Sequence, residues 1–125
     1  MTERYSLNTL RPNNWYLNED KVRRVREAWS KGEQDLLPPV LVVRIDDHWA
    51  LIDGHSRAWV ALEHGEVDIL GMTLNNVDSE EFGLYEIIHR RGPSEGVRNL
   101  QDLSERILPS SEYEEKWIKY CRSLT

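Results

Sequence analysis

Long apolar runs are missing from this chain. Its longest are only a few residues, too short for a bilayer, so no transmembrane helix is expected. Cysteine is almost missing as well. Cys121 stands alone, which excludes an intramolecular disulfide and any thiol cluster for zinc. An excess of positive charge is missing too. The formal charge is -6, and nucleic-acid binding needs clustered cations, so nucleic acid ranks low among expected partners. There is no Walker-type glycine loop, no G-x-G-x-x-G, no internal repeat and no low-complexity tract. The first residues, Met1-Thr2-Glu3-Arg4-Tyr5, are polar with no apolar stretch behind them, unlike a signal peptide. These absences lead to the expectation of a cytoplasmic protein without a membrane role.

What is present is enough for one core. The 125 residues are 39% hydrophobic and 30% charged, the balance of a single globular domain. Three of the five tryptophans, Trp29, Trp59 and Trp117, fall on helical apolar stripes, where core packing explains them. Cys121 fits a partly buried, inert thiol.

Residues 5–10 alternate weakly and suggest a short edge strand, and Arg11-Pro12-Asn13-Asn14 suggests a turn. Asn18 is an N-cap for a helix of about 12 residues ending at Gly32, with Val22, Val25 and Trp29 on its buried stripe. Val40-Leu41-Val42-Val43-Arg44-Ile45 is a strand buried on both faces. Asp46-Asp47 turns it into a second arm, Trp49 to Ile52. A helix from His55 to His64 ends at Gly65, and Val67 to Leu74 alternates as a further strand. Asp78 with Glu81 opens the next helix, which stops at Gly92-Pro93. Gly92-Pro93-Ser94-Glu95-Gly96 has the composition of a mobile loop. Asn99 with Asp102 starts a short helix using Leu100, Leu103 and Ile107. Ser111 with Glu114 opens a last one, striped by Tyr113, Trp117, Tyr120 and Leu124. The expected order is β-α-ββ-α-β followed by three helices, an α+β chain.

The chemistry concentrates at Asp53-Gly54-His55-Ser56-Arg57, where an apolar strand gives way to a helix. Gly54 permits positive φ and close approach to the backbone. The amides of His55, Ser56 and Arg57 are the free donors of a new helix, at the positive end of its dipole, where phosphate binds. Ser56 adds a hydroxyl, and Arg57 a cationic fork matched to phosphate oxygens. Asp53 can hold Mg²⁺ or act as a general base, and His55 can donate to a phosphate or shuttle a proton. Purely structural roles are open for the same residues: Asp53 as a helix cap, Arg57 in a surface ion pair, His55 as a satisfied buried ring. His89-Arg90-Arg91, ending a later helix, could bring Arg90 to the same phosphate, or simply suit the helix dipole. Arg23-Arg24-Arg26 reads as a solvated helix face, and His48 and His64 as structural or exposed. Trp15-Tyr16 either packs on the core or walls a base-stacking pocket, with packing favoured.

Three segments in order carry a resemblance. Leu10-Arg11-Pro12 precedes a helix, Leu37-Pro38-Pro39-Val40 precedes a strand, and Ile52-Asp53-Gly54-His55-Ser56-Arg57 precedes a helix. Together they resemble the ParB/sulfiredoxin superfamily in its ParB-like N-terminal domain form, over residues 5 to 75 and as far as 91. The box is nearest to the Asp-Gly-His-Thr-Arg type of free-serine kinases. The resemblance implies a box that binds nucleotide phosphates, with ADP, ATP or CTP and Mg²⁺ as cofactors. The departures shape that expectation. A sulfiredoxin carries cysteine where His55 stands. The kinases carry a glutamate where this chain has Asn13-Asn14-Trp15, with Glu19 several residues on. Partition proteins carry two arginines in the box and a Glu-Asn-x-Gln-Arg segment, of which Glu86 and Arg90 keep only the ends.

The resulting expectation is a ParB/sulfiredoxin-like core at 1–92, a small mixed sheet with helices, and a C-terminal helical extension at 93–125 packed on it. Asp53 and His55 are the candidate catalytic residues, and Asp53 the candidate Mg²⁺ ligand. Gly54, His55, Ser56, Arg57 and Arg90 are the candidate phosphate ligands. The expected function is nucleotide or phosphate binding, with a phosphotransferase or NTPase activity left open. The alternatives are a non-catalytic regulatory or partner-binding module and, third, a DNA-binding or nuclease domain. A homo-oligomer is compatible with the sequence.

Overall fold

The β-branched run at Val40–Ile45 has the side-chain alternation of a central strand, and both of its faces find a layer. In the computed structural model, which describes residues 1–125, this strand (β4) lies third of five in a mixed sheet ordered β1-β6-β4-β5-β2. The other strands are β1 (Thr2–Ser6), β2 (Leu10–Pro12), β5 (His48–Asp53) and β6 (Asp68–Thr73). β4 pairs antiparallel with β5 and parallel with β6, β1 closes one edge antiparallel to β6, and β2 closes the other parallel to β5. Asp46 and Asp47 both have positive φ, 48° and 64°, as the tight β4–β5 hairpin requires.

Helices cover both faces of the sheet. On one, Val40, Val42 and Leu51 join the main core with α1 (Glu19–Ser30) and α2 (His55–Glu63). On the other, Val43, Ile45 and Ala50 pack against Phe82 and Tyr85 of α3 (Ser79–Arg91). This is period-two alternation read out as two layers. Asn18 caps α1 through Asp20 N–H, and Asp78 caps α3 through Glu80 and Glu81 N–H. The molecule is thus α+β, as its apolar periodicity indicated.

Four local expectations fail for tertiary reasons. Residues 5–10 do not form one edge strand; β1 and β2 sit at opposite edges of the sheet. Arg11-Pro12 is strand rather than turn, because Pro12 ends a short edge strand where no donor is needed. Ile107 leaves the helical stripe for a two-residue strand, β7 (Ile107–Leu108), paired in parallel with β3 (Leu17–Asn18). The last helix starts at Ser110 rather than Ser111; α4 (Ser110–Tyr113) runs through a π-helical turn, Glu114–Ile118, into α5 (Lys119–Ser123). The side chain of Ser110 is drawn to Asn18 and Asp20 instead of capping its own helix.

The chain after residue 92 contributes Val97, Leu100, Leu103, Tyr113 and Trp117 to the same core as the sheet. Trp117 sits with its ring 5.2 Å from Trp15, and Tyr120 flanks that ring at 5.0 Å. Trp117→Ala empties the centre of this aromatic group, and large aromatic deletions of this kind cost about 3–5 kcal/mol. Urea unfolding is expected to show a lower midpoint with an unchanged slope; a loss below about 1 kcal/mol would mean that the tail packs only loosely.

Candidate functional site

β5 ends at Asp53, and the chain must reverse within one residue to begin α2. Gly54 does this at φ +98°, the left-handed region. A Cβ there would stand 2.6 Å from Val40 Cγ1 and 2.9 Å from Arg57 Nη2, so glycine is required by space as well as by backbone angle. α2 consequently starts without a side-chain cap, unlike α1 and α3. The first-turn amides of His55, Ser56 and Arg57 keep the donor capacity that a cap would have used.

The His55 ring does something other than acid–base work. It is 5% exposed, and its Nε2 accepts from the backbone N–H of Asn13 at 3.0 Å and of Asn14 at 3.2 Å. A nitrogen that accepts two amides is unprotonated. Burial is the main cause that lowers the His55 pKa to about 3, outweighing the Asp53 carboxylate and a hydrogen bond with the Leu51 backbone. The expected proton shuttle is therefore corrected. The ring is a neutral clamp between α2 and the β2–β3 loop, and His55 offers the cleft its backbone amide.

Arg57 is anchored as well. Its Nη1 donates to the carbonyls of Pro38 at 2.6 Å and Pro39 at 3.2 Å, and its Nη2 donates to Asp53 Oδ2 at 3.1 Å. The Arg57 side chain is 14% exposed while that of Asp53 is 66% exposed, so the carboxylate reaches into solvent at the mouth of the site.

A cleft of about 280 Å³ opens over this junction. Its floor includes Asp53, Gly54, His55, Ser56 and Arg57, and α1 contributes Lys21 and Arg24 to the wall. Asn14 and Tyr16 line it from the loop before α1, and Tyr113 from α4. Three cations and one carboxylate thus meet in a chain whose formal charge is -6. Sequence reasoning missed Lys21 and Tyr113 and treated Arg24 as part of a solvated face. The face is in fact divided: Arg23 pairs with Asp20, Arg26 pairs with Glu63, and Arg24 turns to the cleft. The signal available was position, since Lys21 and Arg24 immediately precede the buried Val22 and Val25. Tyr16 also lies under the Arg106 guanidinium, 5.2 Å from its ring centre, while Trp15 is in the core.

Arg90 is not brought to this site. Its guanidinium binds Asp46 in the β4–β5 turn at 3.2 Å and Glu86 one turn back at 3.0 Å. The α3 C-terminus docks beside that hairpin, and the expected role of Arg90 as a phosphate ligand is corrected accordingly. Its neighbours are also engaged. His89 meets His48 at 3.2 Å, with Arg11 3.3 Å from the other side of His48, and Arg91 donates to the Tyr120 hydroxyl. Burial raises the pKa of the half-buried Cys121 thiol. No group of three His, Cys, Asp or Glu side chains is placed to hold a metal ion, and Asp53 is the single carboxylate at the cleft.

No family model matches this sequence, and none of the curated proteins does. Among solved structures, the chain is similar to protein Atu1540 from Agrobacterium tumefaciens, with a TM-score of 0.56 at 19% identity, over 82% of this chain. It spans 61% of the length of that structure. A likeness at this identity concerns the α+β fold.

The His55 clamp sets a pH dependence. Above its ordinary pKa of about 6.5 the ring is neutral folded or unfolded. Below it the unfolded chain takes up a proton that the native ring refuses down to about 3, so stability falls as pH falls. The slope approaches about 1.4 kcal/mol per pH unit, or about 2 kcal/mol between pH 7 and 5. His89, whose pKa burial also lowers, adds in the same direction. His55→Gln is expected to be less stable at pH 7 and to close part of that gap by pH 5 in paired denaturation curves. A constant gap would contradict the neutral clamp.

Proposed function

We propose that the cleft at the β5–α2 junction binds the phosphate groups of a small ligand, a nucleotide being the form suggested by the ParB-like resemblance. The observation that carries this reading is the meeting of Lys21, Arg24 and Arg57 with the uncapped start of α2 around one cleft of an otherwise acidic protein. Gly54 lets an oxyanion approach the backbone. The amides of His55, Ser56 and Arg57 supply oriented donors, and Lys21 and Arg24 supply charge from the facing helix. Mg²⁺, where a nucleotide brings it, needs only one protein carboxylate beside phosphate oxygens, and Asp53, the one carboxylate lining the cleft, is the candidate to supply it.

A binding module is favoured over a phosphotransferase or NTPase. The one histidine of the box is buried, neutral and already hydrogen-bonded, which leaves Asp53 as the single candidate base at the cleft. In a partner-binding or regulatory role the same donors would hold a phosphate without transferring it.

Calorimetry and thermal shift with ADP, ATP and CTP, with and without Mg²⁺, test the proposal. Saturation at a hundredfold excess over Kd adds about 2.7 kcal/mol, which in a domain of this size raises Tm by roughly 10 °C. Lys21→Ala and Arg24→Ala are each expected to weaken binding about tenfold, the worth of one charge-assisted contact. Arg90→Ala is expected to leave it unchanged. The absence of any nucleotide effect would overturn the phosphate reading. Phosphate release by the wild type that Asp53→Asn abolishes while still binding would replace the module with an enzyme.

A further inference from the structure

Tyr113 is the residue of the cleft that neither the box nor the resemblance accounts for. It comes from the C-terminal helix, beyond the segment that carries the likeness, and it is 8% exposed although it lines the cleft. Its hydroxyl oxygen accepts from Asn14 Nδ2 at 3.0 Å, the one hydrogen bond the chain gives it. A phenol has a proton to give as well as lone pairs, and here that proton has no acceptor within the chain. Asn14 is the complement. Its amide nitrogen is engaged by Tyr113, and its Oδ1 meets no donor from the protein. A free donor and a free acceptor therefore stand side by side on one wall.

Both groups are held in place. The backbone N–H of Asn14 is fixed by His55 Nε2 at 3.2 Å, and Tyr113 directly precedes the π-helical turn at Glu114–Ile118. Turns of this kind interrupt regular helix geometry and recur at functional sites. Burial pushes the Tyr113 pKa up to about 12, so the phenol keeps its proton across the physiological range. An ionised phosphate can accept from the phenol but has no proton to give Asn14 Oδ1, so it satisfies only half of this pair. Leu17, Val25, Leu37 and Ile52 also line the cleft, apolar side chains that suit an organic body.

We propose that Tyr113 and Asn14 form the specificity wall of the cleft, donating to and accepting from the organic part of a phosphate ester whose phosphates lie at Gly54–Arg57. This rests on the phosphate reading above and narrows its ligand class from any phosphate to an organic one bearing a hydroxyl, amide or nucleobase edge. In this arrangement the C-terminal helix is a part of the binding site as well as of the core.

The test compares two probes that share a diphosphate and differ by the nucleoside: ADP and inorganic pyrophosphate, each titrated into the full chain and into Tyr113→Phe. The wild type is expected to bind ADP at least tenfold more tightly than pyrophosphate. Tyr113→Phe is expected to lose five- to tenfold for ADP and less than twofold for pyrophosphate. The ratio of the two affinities is insensitive to partial unfolding, since both probes see the same folded fraction, so a purely structural role for the hydroxyl would not move it. Equal losses for the two probes, no loss for either, or a wild type that does not prefer ADP would each overturn the specificity wall while leaving the anion site standing. Failure of both probes to bind the wild type would remove the anion site and the wall together.

Discussion

The His55 ring, accepting the backbone amides of Asn13 and Asn14, is the contact from which the rest of the site follows. It ties the chain leaving β2 to the start of α2, elements far apart in sequence. Once these amides are fixed, Trp15 enters the core and Asn18 begins α1, which carries Lys21 and Arg24 toward Gly54. The side chain of Asn13 reaches the other layer, donating to the Tyr85 carbonyl of α3. The same interaction decides the chemistry. A protonated ring could not accept these amides, so the residue best suited to move protons in the box is committed to the neutral form. Position is gained at the expense of acid–base capacity.

Electrostatics complete the site by distribution rather than by total charge. Several cations are neutralised locally: Arg4 by Asp68, Arg26 by Glu63, and Arg90 by Asp46 and Glu86. These pairs are exposed and contribute little to stability. Their consequence for the cleft is that Lys21 and Arg24 remain to set its sign. Low-dielectric walls concentrate such a field where it is enclosed, which separates local attraction for an anion from the repulsion expected of an acidic surface.

Much of this was legible in the sequence because it depends on neighbours along the chain. Asn18 and Asp78 announce helix starts through their own side chains, Asp46-Asp47 announces a hairpin, and the valines of β4 announce a strand with two covered faces. Gly54 between a strand and a helix marks the junction that forms the floor of the cleft. What was hidden depends on partners distant in sequence. Two-residue strands such as β3 and β7 have too few positions to show alternation. Only its place directly before the buried Val25 separates Arg24, which faces the cleft, from Arg23, which pairs with Asp20. Arg90 looked free because its partner Asp46 lies in a turn on another element. Tyr113 looked like one more core aromatic, and it is one, with its hydroxyl at the boundary of the cleft.

The pairing of β3 with β7 has a consequence in time. The two strands, and the nearby Asn14–Tyr113 contact across ninety-nine positions, close loops that take in most of the chain. Ordering so long a loop costs entropy before any contact repays it, and such closures come late in folding. During synthesis the floor of the cleft and its cations emerge well before α4. A nascent chain can therefore present its Gly54–Arg57 loop while one wall is still inside the ribosome, and the cleft gains its full shape only when the last helix docks.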